Sequence, residues 1–377
     1  MSERRTEPYI STYLHRKGAR LGLPIAGNFE LTARCNFNCP MCYVHLSRED
    51  VKARGKELTA AQWIDIARQA KEQGMIFVLL TGGEPFVRED FFEIYSEMKK
   101  MGLLISINSN GSLLSGEIRR KLIEDPPFRI NISLYGGSDE TYRRMCGPGA
   151  FDDVIENIRA IKAAGIDVRL NVSLTQYNRH DLEKIYALSK ELGVHMKATG
   201  YMYPSIRVNG EKYGCGNRMS AIEAARCNVE WDLLRFTPDE FAKRAESMAE
   251  LSFESENECS ADVDEGVSCR AGSTSFWLTW DGRMLPCGMM PRPTVYPLEI
   301  GFPTAWSEIR KATREIRMPG KCSTCPVKKM CCVCAAVTVT ETGEFDGVPE
   351  YVCEMTHESV RKTIEINSER KDKNDIS

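Results

Sequence analysis

Apolar and polar positions follow two alternating rhythms over the first two hundred residues. Short apolar runs rich in β-branched residues have the pattern of buried strands. Between them, apolar residues recur every three or four positions, as on one face of a helix. The spacing predicts strands at 28–33 ("NFELTA"), 75–83 ("MIFVLLTGG"), 103–110 ("LLISINSN"), 128–136 ("FRINISLYG"), 167–174 and 194–201. Helices are predicted over 59–74, 88–101, 115–124, 150–165 and 180–193, the first capped by Thr59 and ended by Gly74. Six strands joined by crossover helices form a parallel α/β pattern, barrel-like or doubly wound. The rhythm changes after 201. Residues 202–258 are mixed, with a helix expected near 237–252. Residues 259–353 break into hairpin-like pieces such as "SFWLTWDGRMLPC", with too few apolar residues per segment to hold without a staple. The tail "SERKDKNDIS" is charged and expected to fray.

Composition narrows the partners. Apolar content of 42% and charged content of 27% are ordinary for a soluble protein. A net charge of −3 argues against nucleic acid or an anionic membrane as the main partner. No apolar run is long enough to span a bilayer, and the polar start "MSERRTEPYI" lacks a signal-peptide core, so a cytoplasmic location is expected. Thiols stay reduced there, and fifteen cysteines then point to metal or iron–sulfur ligation rather than disulfides.

Polar groups gather at the predicted C-terminal strand ends, the rim where parallel α/β folds bind ligands. They are "CNFNCPMCY", "TGGEP", "NSNG" and "SLYGG". The first places Cys35, Cys39 and Cys42 in eight residues with no fourth cysteine before Cys146. Three thiols fit a zinc site with a distant fourth ligand. They also fit a four-iron cluster with one iron left open, the feature that separates a reactive metal site from a structural one.

"ELTARCNFNCPMCY" followed by "TGGEP" resembles the signature pair of the radical S-adenosylmethionine (radical SAM) superfamily, and the resemblance covers roughly residues 27–201. It implies a partial (β/α)6 TIM-like barrel, a [4Fe-4S] cluster on Cys35, Cys39 and Cys42, and S-adenosyl-L-methionine bound at the open iron. It also implies a 5′-deoxyadenosyl radical that abstracts hydrogen from substrate. By the same resemblance, Gly82, Gly83 and Glu84 bind the methionine ammonium and Ser133 the ribose, with Asn108, Asn110 and Arg144 as further contacts. Met41 stands where the family usually carries an aromatic residue or His against adenine, and its thioether can cover the same face.

Residues 259–356 resemble the SPASM domain, a small C-terminal module carrying auxiliary four-iron clusters. The resemblance implies one cluster on Cys269, Cys287 and a cysteine of "CCVC", with Cys259 as fourth ligand. The other would use Cys322, Cys325, Cys331 and Cys353. The family's next cysteine aligns with Ala335, so Cys334 falls one residue short and Cys332 is an extra candidate; paired Cys-x2-Cys units alone would equally fit zinc. The expected organisation is an N-terminal extension (1–26), a core (27–201), a bridging segment (202–258), the auxiliary module (259–356) and a C-terminal helix and tail (357–377).

Relatives with this layout mostly modify peptides, by crosslinking, thioether formation or epimerisation. A peptide substrate is therefore expected, with an electron donor such as flavodoxin or ferredoxin. A core strand near residue 28 leaves no room for an N-terminal recognition domain, so a separate recognition protein or direct groove binding is expected. Gly288 replaces the acid that sulfatase-maturing relatives carry after the cysteine matching Cys287, which argues against formylglycine formation. Cys215, in "YGCGNR", is the best-placed hydrogen donor for an epimerase, and an unligated loop thiol is the plain alternative. Two other readings stay open: a radical enzyme acting on a tetrapyrrole, sugar or amino-acid derivative, and a non-catalytic zinc-binding scaffold.

Overall fold

The computed structural model describes residues 9–44, 46, 49, 51, 55–147, 151–204, 215–254 and 266–375. Helix α1 (Ile10–Leu21) precedes β1 (Ala26–Glu30). Strands β2 (Phe77–Thr81), β3 (Leu104–Ser109), β4 (Arg129–Ser133), β5 (Val168–Ser173) and β6 (His195–Thr199) follow in parallel and in chain order. The crossovers are α2 (Ala60–Glu72), α3 (Phe91–Lys100), α4 (Gly116–Glu124), the pair α5 (Asp139–Cys146) and α6 (Phe151–Ala163), and α7 (Leu182–Glu191). Each strand and helix predicted within residues 28–201 is present and somewhat shorter than predicted. Thr59 caps α2 in a reciprocal box with Gln62, as its position suggested. Helix α5 was not anticipated.

The polar and apolar alternation of the strands is resolved into two faces. Ile105, Ile107, Ile130, Ile132, Val168, Leu170 and Val172 are buried beneath the helices. The intervening Ser106, Asn108, Asn131, Ser133 and Asn171 are not, so the concave face of the open barrel is polar.

After β6 come α8 (Ala221–Arg235) and α9 (Pro238–Glu254). Two strands of the thiol-rich region extend the core sheet. Its strand β7 (Ser275–Leu278) pairs in parallel with β1, Gly27 opposite Phe276, and β8 (Met284–Leu285) closes a hairpin on it. The sheet thus has eight strands in the order β6-β5-β4-β3-β2-β1-β7-β8. Phe29 of β1 packs against Trp63 of α2 and Phe276 of β7, with ring centroids 5.3 and 6.1 Å away. Phe276 in turn meets Phe302 of α10 (Phe302–Arg314) at 5.1 Å.

Helix α1 is tied to this same region. His15 Nδ1 lies 2.7 Å from Thr274 Oγ1, and Trp306 and Arg310 donate to the Gly22 and Ala19 carbonyls at its C-terminal end. Helices α11 (Ala335–Thr342) and α12 (Glu350–Asp375) complete the chain, α12 packing along α8. Glu341 of α11 sits almost buried between Arg218 and the Tyr201 hydroxyl, at 2.5 and 2.8 Å. The Arg218 guanidinium stacks 3.5 Å from the Tyr351 ring centroid. Among the described residues no helix is long and apolar enough to cross a membrane.

Candidate functional site

The loop leaving β1 carries Cys35, Cys39 and Cys42, all half-buried. The Phe37 N–H donates to Cys35 Sγ at 3.4 Å and the Cys42 N–H to the Cys39 carbonyl at 3.0 Å. Burial pushes the Cys35 thiol up to about 12, helped by the charges of Glu84, Cys42 and Cys39. The fold adds a thiol that spacing did not reveal. Cys146, closing α5 and 2% exposed, meets Cys39 from the core side, and its hydrogen bond, ahead of burial, holds Cys39 far above the usual thiol range.

Four outside residues hold the loop and its flanks in shape. Asn110 Nδ2 donates to Asn36 Oδ1 at 2.9 Å and reaches Cys35 Sγ at 3.7 Å. Asn217 donates to the Pro40 carbonyl at 2.8 Å. Arg88, 6% exposed, donates to the Leu31 and Leu58 carbonyls at 2.8 and 3.1 Å, while Glu57 pairs with Arg34 at 3.0 Å. Asn217, Glu57 and Arg88 were missed in the sequence. Arg88 follows Glu84 closely in "GGEPFVR", but Glu57 and Asn217 stand outside any predicted element.

In "TGGEP" the close approach that demands glycine is to the chain itself. Gly83 and Glu84 donate to the Thr32 and Arg34 carbonyls at 2.7 and 2.9 Å, and a Cβ on Gly82 or Gly83 would strike those same oxygens. Glu84 is fully buried and accepts from the Asn110 N–H at 2.7 Å, the Ser109 hydroxyl at 3.0 Å and the Phe86 N–H at 3.3 Å. It therefore links the ends of β2 and β3, and through Asn110 the cysteine loop. Burial raises its pKa to about 7 despite those donors.

Since the unfolded chain releases this proton near 4.5, folding takes one up between the two values, and stability falls as pH rises through that window. The expected loss over the whole window is about 3 kcal/mol, of which about 2 kcal/mol falls above pH 5.5, and Glu84→Gln should flatten it. Thermal midpoints of the anaerobic holoprotein without S-adenosylmethionine, at about pH 5.5 and about pH 8, would check this. Equal slopes in the two proteins would refute it.

The other predicted residues disperse along the rim. Asn108 accepts from Asn131 across β3 and β4 at 2.9 Å, and Ser133 ends β4 on the same half-buried face. Met41 is half-buried against the main core. Arg144 is exposed, its guanidinium 4.6 Å from the Tyr177 ring centroid. Cys215 begins a short turn whose Gly216 and Asn217 carbonyls accept from Gln176. Because Asn217 also holds Pro40, this turn lies beside the cysteine loop.

In the C-terminal region, Cys322, Cys325, Cys331 and Cys353 lie within electrostatic reach of one another. A second group forms around Tyr203, whose hydroxyl is 3.9 Å from Cys334 Sγ and also feels Cys287 and Cys332. Cys269, exposed at the surface, is in reach of Cys334. Cys259 lies outside the described residues. Cys269 and Cys287 line a cavity of about 890 Å³ whose other walls include Trp277, Asn28 and α1. Gly288 lies flat against the Trp277 indole, where a Cβ would come within 2.7 Å of the ring.

Among the described residues no three His, Cys, Asp or Glu side chains converge tightly enough for a single metal ion. A four-iron cluster places each thiolate on a different iron and so needs no such convergence. The all-sulfur donor sets suit iron–sulfur ligation. Cys35, Cys39 and Cys42 are each only partly buried.

Residues 29–189 match the Radical SAM superfamily. Over 333 residues the chain is 28% identical to the AdoMet-dependent heme synthase of Methanosarcina barkeri, 84% of this chain and 93% of that one. It is 27% identical to the PqqA peptide cyclase of Streptomyces rochei over 81% of this chain and 82% of that protein. A probable GTP 3′,8-cyclase of Saccharolobus islandicus is 37% identical over 179 residues, spanning 47% of this chain and 56% of the relative. In fold, the chain resembles Streptococcus suis SuiB bound to its precursor peptide SuiA, with a TM-score of 0.66 at 18% identity over 94% of this chain and 84% of SuiB.

Proposed function

We propose that this chain, a radical SAM enzyme built on the domain at residues 29–189, modifies a ribosomally made peptide. The observation that carries the reading is that the likeness to a peptide cyclase and to a peptide-bound enzyme extends well past the core into the thiol-rich C-terminal region. A polar, accessible concave face suits a backbone with many hydrogen-bonding groups.

The family implies a [4Fe-4S] cluster and S-adenosylmethionine, which Cys35, Cys39 and Cys42 would hold with Gly82, Gly83 and Glu84, aided by Met41, Asn108, Asn110, Ser133 and Arg144. When bound, that pair supplies a 5′-deoxyadenosyl radical for hydrogen abstraction. The chain's own part is positioning: Glu84 and Asn110 tie the loop to two strand ends, and Asn217 braces Pro40. We assign 27–201 to the catalytic core and 259–356 to an auxiliary module. One centre there would use Cys322, Cys325, Cys331 and Cys353, and another Cys269, Cys287 and Cys334 with Cys259. If the reaction is epimerisation, Cys215 is the thiol assigned to return hydrogen.

The heme synthase likeness over 84% of the chain favours a second reading, a tetrapyrrole substrate. Anaerobic incubation with labelled peptides from adjacent genes and, separately, with a tetrapyrrole carboxylate would decide by mass spectrometry. Loss of two hydrogens from a peptide supports crosslinking, and one deuterium gained from solvent supports epimerisation. Untouched peptides beside an altered tetrapyrrole would overturn the peptide reading.

A further inference from the structure

The chain is acidic overall, with a net charge of −3, yet one surface region is strongly basic. Helix α1 contains no acidic residue and presents Arg16, Lys17 and Arg20 outward. Beside it stands the exposed Arg270, and the loop bearing Arg270 also forms a cavity wall with Arg314 and Arg317 at the end of α10. Among the described residues, none of these six cations has an ion-pair partner, whereas arginines and lysines over much of the remaining surface do. Apolar groups accompany them. Ile10 is 69% exposed, Tyr13 50% and Leu21 61%, and Tyr13 and Leu21 share a cavity of about 380 Å³ with Arg16, Lys17 and Arg20. Exposed aromatic and arginine side chains in one patch are the composition of a protein-binding surface.

What the patch adjoins indicates its occupant. Arg16 lines both that groove and the about 890 Å³ cavity containing Cys269 and Cys287, and Cys269 itself is exposed. A partner seated on α1 therefore lies beside the cavity that holds those thiols. We propose that α1 and residues 266–274, just before β7, form the docking site for an acidic one-electron carrier protein.

This rests on the enzyme's need for a reductant, which its radical chemistry implies, and not on the identity of the substrate. One electron leaves the carrier, which is oxidised, and enters the enzyme, which is reduced; no bond forms or breaks. Exposed cations facing an acidic partner would steer association and make it salt-dependent.

The test uses the anaerobic holoenzyme with reduced flavodoxin and, separately, a reduced plant-type ferredoxin as probes. R16E/K17E/R20E should weaken carrier binding at least ~10-fold and slow carrier-driven deoxyadenosine release equally, while leaving dithionite-driven release and iron content unchanged. Wild-type binding should weaken steeply between ~50 and ~300 mM salt. Carbodiimide cross-links should join Lys17 to carrier carboxylates. Unchanged binding in the variant would overturn the proposal. So would equal loss with dithionite, or cross-links running instead from Lys17 to the chain's own acidic stretch at 254–265 or to an acidic peptide substrate. Binding and cross-linking are read without substrate, so a failed peptide assignment leaves them standing.

Discussion

Cys39→Ala is expected to abolish release of deoxyadenosine, a fall on the order of a thousandfold or more, and to remove roughly four irons per chain. Three half-buried thiols share one loop, and among the described residues Cys146 is the further thiol in contact with them, reaching Cys39 from the packed side of α5. Cys146→Ala is the discriminating partner variant. It should retain full iron and activity at the first site, at some cost in core packing. Iron analysis and anaerobic turnover in the two variants give the answer. If Cys146→Ala loses the iron and Cys39→Ala keeps it, Cys146 is a ligand, and the three-thiol assignment falls.

Arg218→Ala should destabilise the holoprotein by about 3–5 kcal/mol, because it strands Glu341 as an uncompensated, nearly buried carboxylate. The same change removes the cation stacked on Tyr351 and, among the described residues, leaves Tyr201 as the hydrogen-bond donor to Glu341. Four chain segments meet at this charge pair: the exit of β6, the approach to α8, and the helices α11 and α12. The thermal midpoint should drop by many degrees, with Glu341→Gln in the same background recovering part of the loss. A shift corresponding to less than about 1 kcal/mol would mean that the pair is effectively solvated.

The strands of the core were legible because each combines β-branched apolar residues with a polar, glycine-marked end. Local pattern reaches no further than that. Helix α8 escaped because Ala221, Ala224, Ala225, Cys227, Val229, Trp231 and Asp232 are all buried, so its contacts wrap most of the cylinder and leave no single apolar stripe. Helix α12 was anticipated only in part: its polar surface hides the few anchors, Val352, Met355 and Val360, that hold it. The candidate site divides the same way. Spacing exposed Cys35, Cys39 and Cys42 and pointed to Glu84. Cys146, Asn217 and Tyr203 became visible only through contacts between segments far apart in the chain.

The pairing of β7 with β1 has a bearing on how this chain can be cut or recombined. A fragment ending before the auxiliary region would lose the neighbour of Gly27 and Phe29, leaving a bare, apolar ribbon of unsatisfied amides along one margin. Such a fragment should self-associate through that margin rather than behave as a tidy monomer. The two halves are therefore poor candidates for exchange between relatives unless β7 travels with the barrel.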